Sequence, residues 1–62
     1  MDLDQVFTQV RSYLLRKEVN TNIVASTTGV TRYYVVAVRE GKKSIPFGEF
    51  QKLVAFVEER RR

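Results

Sequence analysis

The stretch TRYYVVAVREG, residues 31–41, constrains this chain more than any other, because it admits two structures that exclude each other. Five of the six residues from Tyr33 to Val38 are β-branched or aromatic, and such side chains suit a pleated, half-buried strand. A strand there needs a partner, yet no second segment alternates apolar and polar residues with turn chemistry between. Unpaired, it would leave its backbone groups without hydrogen bonds, whereas a helix satisfies its own. The preceding residues, TNIVASTTG, read as a short helix that Asn20 or Thr21 caps and Gly29 ends. Thr31 is then placed to cap a new helix and Gly41 to terminate it. A tight helix–turn–helix over residues 21–40 is therefore predicted. The cost of its valines in helix propensity is roughly a few tenths of a kcal/mol each, which packing can override.

The flanks are helical by period. Leu3, Val6, Phe7, Val10 and Leu14 recur at spacings of three and four, with Asp2 as N-cap, Asp4 in the first turn, and Arg16 and Lys17 at the end. Tyr13 and Leu15 flank that stripe and are expected to close its edges. Phe47, Phe50, Leu53, Val54 and Val57 form a second stripe on a helix of about 46–60, opened by Ser44 and Pro46. Phe56 lies off that stripe and calls for something else to cover it. The expected fold is a small all-α domain of four helices, five at most.

A chain of 62 residues is one small domain, and a domain of this size buries only about 60% of its unfolded surface. With no cysteine and no histidine it has neither disulfides nor the usual metal or nucleophile-activating side chains. No phosphate-cradling glycine loop, calcium-loop spacing or zinc-ligand set occurs, so no enzyme, metal or cofactor is expected. No apolar run reaches the roughly 20 residues of a membrane span, and the acidic opening MDLDQ is unlike a signal peptide, so a cytoplasmic protein without membrane contact is expected. The net charge of +4 is unevenly spread: residues 11–43 carry seven bases and two acids, while residues 1–10 carry two acids and no base. A concentrated basic surface is the footprint of a polyanionic partner.

Residues 21–40, TNIVASTTGVTRYYVVAVRE, resemble the helix-turn-helix of the phage Cro and C1 repressor type, the XRE-like family; the motif covers about a third of the chain. Ala25 is the small residue where the two helices cross, and Gly29 opens the turn four residues later. Val24, Val30, Val35 and Val38 take the buried positions. The resemblance implies a lambda-repressor-like domain that reads double-stranded DNA by sequence as a transcriptional repressor, a homodimer on a palindromic operator at the nucleoid. It would have no small-molecule ligand, so its own concentration would control it.

The outward residues of the second motif helix would then be Thr31, Arg32, Tyr33, Val36, Ala37 and Glu40. Arg32, Tyr33, Val36 and Ala37 are the candidates for base contacts: Arg32 by a bidentate bond to guanine, Val36 and Ala37 against thymine methyls. Tyr34 is expected to pack or to reach phosphate. Thr21, Asn22, Thr31, Lys42 and Lys43 are the candidates for the DNA backbone. Phe56, with Phe47 and Val57, is the candidate homodimer contact. Glu40 departs from the family pattern: a carboxylate there repels phosphate unless it pairs, with Lys43, or accepts from a cytosine amine. Arg60, Arg61 and Arg62 read as a helix-complementing tail. Two other functions stay open at this stage. One is a protein-interaction module such as a small antirepressor, antitoxin or adaptor; the other is an RNA-stacking strand with Tyr33 and Tyr34 as platforms.

Overall fold

The computed structural model describes residues 2–61. Four helices follow one another: α1 (Leu3–Leu14), α2 (Thr21–Thr28), α3 (Arg32–Arg39) and α4 (Phe47–Arg61). No strand occurs among the described residues, so RYYVVAVR within TRYYVVAVREG is helical and the RNA-stacking strand has no counterpart. No helix among them is long and apolar enough to cross a membrane.

α1 and α2 start where their capping chemistry lies. Asp2 Oδ1 accepts the Asp4 N–H at 3.0 Å, and Asn20 Oδ1 accepts the Asn22 N–H at 2.8 Å, so Asn20 rather than Thr21 caps α2. At the start of α4 the Pro46 carbonyl accepts the Phe50 N–H at 3.0 Å, and proline's missing donor costs nothing there. One boundary differs from expectation. α1 stops at Leu14, leaving Arg16 and Lys17 in the following turn, and the base in its last turn is Arg11.

Packing joins α3 to both α1 and α2, and α4 to α1 and α2. The core draws on every helix: Phe7, Val10 and Leu14, then Val24, Val35 and Val38, then Phe50, Leu53 and Val57, with Val30 from the turn. All four valines predicted to bury in the motif do so. Phe7 and Phe50 stack with ring centroids 5.9 Å apart. Fully burying such side chains contributes roughly 1.5–3 kcal/mol each, and that burial holds a valine-rich segment in a helix. The radius of gyration, 10.3 Å, agrees with about 10.6 Å for a compact chain of this length.

Both apolar stripes fray at one end of the molecule. Leu3 is 58% exposed and Phe47 59%, although the spacing assigned both to the core. Each sits in the first turn of its helix, and they border one shallow depression with Phe7, Ile45 and Phe50. The residues that border it come from α1, α4 and the segment leading into α4. Leu15, expected to close an edge, is likewise exposed.

Candidate nucleic-acid interface

The turn between α2 and α3 is built by backbone conformation and one hydroxyl. Gly29 has φ +79°, in the left-handed region that side chains disfavour, and its N–H still bonds the Ala25 carbonyl at 2.9 Å. Thr28 Oγ1 donates to the Val24 carbonyl at 2.7 Å and accepts the Val30 N–H at 3.2 Å. The hydroxyl thus ties the last turn of α2 to the residue that drops into the core. Sequence reasoning passed over Thr28; its place directly before the turn glycine was the available signal.

The two ends of α3 differ. At the start, the Thr31 carbonyl accepts from Tyr34 and Val35, but its hydroxyl makes no capping bond. Thr31 therefore holds the predicted N-cap position without the predicted side-chain bond. At the finish, the Gly41 N–H bonds the Val38 carbonyl at 3.0 Å and the Lys42 N–H reaches back to Ala37 at 2.9 Å. Those two bonds are a Schellman closure, and Gly41, with φ +88°, supplies the left-handed residue it requires. Arg11 of α1 completes this end: its Nε donates to the Arg39 carbonyl at 3.1 Å, a cation where the helix dipole is negative. A partner 28 residues away could not be read from local pattern.

Between these ends Arg32, Tyr33, Val36, Ala37, Glu40 and Lys42 border an open depression of about 430 Å³. Arg32 is exposed, Tyr33 is 70% exposed, and Val36 is partly so. Tyr34 is half-buried against the core and meets Tyr33 edge-on, centroids 5.7 Å apart, so it steadies the more exposed ring. Ala37 was expected outside and is not: it is only 7% exposed, where the chain returning through Gly41 and Lys42 closes over the end of the helix. What remains accessible of Ala37 borders the same depression beside Val36.

The residues assigned to phosphates separate into two sets. Asn22, Thr31 and Lys42 are exposed and Thr21 half-exposed, at the starts of α2 and α3 and just past the end of α3. Lys43 faces elsewhere. Its Nζ lies 2.6 Å from Asp4 Oδ1 and 5.5 Å from the Phe7 ring centroid, so it pairs with the first turn of α1 and not with Glu40. Lys43, by hydrogen bond and by charge, holds the Asp4 carboxyl below the ordinary carboxylate range. Among the described residues Glu40 has no ion-pair partner.

Two of the three residues expected between copies are engaged within the chain. Val57 is 2% exposed and belongs to the core, which removes it as a surface contact. Phe56 is half-buried, edge-on to Tyr13 with centroids 5.9 Å apart, and the Arg60 guanidinium lies over its ring at 4.9 Å. What covers Phe56 is thus its own chain. Phe47 remains exposed, now beside Leu3. Arg62 of the expected tail lies outside the described residues.

Compared with protein-family models, curated proteins and solved structures, the chain matches none. The assignment of a function therefore rests on the geometry of α2, the turn and α3.

Proposed function

We propose that this chain binds double-stranded DNA by sequence, as a small repressor of the Cro type, with α3 in the major groove. The observation that carries the proposal is the exposed row Arg32, Tyr33 and Val36 on a helix whose opposite side is locked in the core. Arg32 reads guanine by a bidentate bond, Tyr33 and Val36 meet neighbouring base edges, and Thr31, Asn22 and Lys42 hold the backbone on either side. Glu40 accepts from a cytosine amine or sets a limit on how closely phosphate approaches. The protein acts as a homodimer on a two-fold symmetric site, its recognition helices about 34 Å apart. Contact between copies runs through the exposed end at Leu3 and Phe47 rather than through Phe56 and Val57.

The same exposed end favours the second reading, a protein-interaction module such as an adaptor, antitoxin or antirepressor. Salt separates the two. Affinity for duplex DNA should fall steeply between about 50 and 200 mM salt as counterions are released, while a contact through Leu3 and Phe47 should hardly respond. A chain that shows no affinity for any duplex at the lower salt is not a DNA-binding protein.

A further inference from the structure

At the far side of α2 from the turn, three helices bring two arginines to one place. Tyr13 in the last turn of α1, Arg16 in the turn that follows it, Asn20 and Ile23 at the start of α2, and Phe56 and Arg60 near the end of α4 border an open depression of about 330 Å³. Each guanidinium rests on an aromatic ring of a single cluster: Arg16 is 5.8 Å from the Tyr13 centroid, Arg60 is 4.9 Å from that of Phe56, and the two rings touch edge-on. Stacking of this kind fixes a long side chain's direction while leaving its hydrogen-bond donors free for a partner. Among the described residues the only acid bordering the depression is Glu18, 2.8 Å from Arg16 Nε. Both members of that pair are more than half exposed, and such a surface bridge is weak enough to exchange its carboxylate for another anion.

We propose that Arg16 and Arg60 form a second grip on the DNA backbone, flanking the bases that α3 reads, and that Glu18 restrains it. The inference rests on the DNA-binding function proposed above and deepens it. The depression borders the start of α2, where Asn22 is already turned toward phosphate in that account, so the two arginines extend the contact along the strand beyond α2. Phosphate then replaces Glu18 on Arg16 and finds Arg60 already oriented by Phe56. Because neither arginine belongs to α3, the grip adds affinity without choosing a sequence.

Equilibrium binding to the selected site and to random duplex, over a range of salt, tests this with Arg16→Ala, Arg60→Ala, Arg60→Lys, Glu18→Gln and, as a control, Lys52→Ala. Lys52 carries the same charge about 12 Å up α4 by helical rise, and it pairs with Glu49. Each arginine-to-alanine change should weaken both duplexes equally, roughly three- to tenfold, and reduce the salt slope by about 0.9. Glu18→Gln should strengthen both. Arg60→Lys should keep most of the slope, and Lys52→Ala should leave it near that of the native chain. A native chain that binds DNA while Arg16→Ala and Arg60→Ala bind with its slope, or no more weakly than Lys52→Ala, overturns the grip and leaves the function of α3 standing. A native chain that binds no DNA overturns both. Far-ultraviolet circular dichroism of each variant separates lost contact from lost fold.

Discussion

α3 presents two surfaces of opposite chemistry. On its inner side Val35 and Val38 are completely buried; on its outer side Arg32 is exposed and Tyr33 is 70% exposed. The inner side contributes to stability and imposes the helix on a sequence that by itself favours strand. The outer side makes no comparable contact with the chain. A small domain with a thin core exposes an arginine beside a tyrosine at little cost, and the proposed function gives that pair its role. Substitutions inside should therefore change melting and leave specificity alone, and substitutions outside should do the reverse.

The comparison breaks most visibly from the inside. Val38→Ala removes two buried methyl groups and should cost about 2 kcal/mol, lowering the melting temperature of so small a domain by roughly 10 °C. Its preference among DNA sequences, measured where it is still folded, should not change. From the outside, Arg32→Ala should melt like the native chain yet lose about 1–3 kcal/mol on the selected site and relax preference at one base pair. An equal loss on random duplex would make Arg32 a phosphate contact instead.

The two glycine turns sharpen the contrast between the ends of α3. Gly29→Ala meets no atom within 4 Å, so it should cost only the left-handed backbone, about 1 kcal/mol. Gly41→Ala carries the same backbone strain and sets its Cβ 3.3 Å from Arg11 Nε, disturbing the bond that closes α3. Its melting temperature should fall further than that of Gly29→Ala, by an excess that disappears when Arg11 is also replaced by alanine.

The smallest effect is electrostatic. Lys43 depresses the native pKa of Asp4, so the pair's contribution is complete above the ordinary aspartate range and is lost as pH falls through the depressed value. Thermal melts taken downward from about pH 5 should therefore show a slight extra loss in the native chain that Lys43→Met lacks. Because the pair lies at the surface, with both side chains largely exposed, the difference should shrink further in high salt.

Much of this fold was legible in the sequence because the signals were local. Asp2 and Asn20 cap as their types predict, Gly29 and Gly41 turn the chain at positive φ, and the periodic valines mark the core. What was not legible depends on contacts between distant residues. Arg11 on the end of α3, Lys43 on Asp4, and Tyr13 on Phe56 join segments that no local window connects. Period alone placed Ala37 outside, since it carries no information about a chain that returns over it. Leu3 and Phe47 failed for a related reason: a stripe says which face is apolar, not where its cover ends. For the candidate site, residue type and position in the motif singled out Arg32, Tyr33 and Val36, which the structure leaves exposed or partly so, whereas the stacked Arg16 and Arg60 emerged only once α1, α2 and α4 met.

The most direct test of the central claim is selection of bound duplexes from a random DNA library by the native chain, run at moderate and at high salt. The account predicts an enriched, two-fold symmetric motif whose half-sites lie about 10 base pairs apart, with a guanine whose selection disappears in Arg32→Ala. Binding without enrichment, or no binding to any duplex, would contradict it.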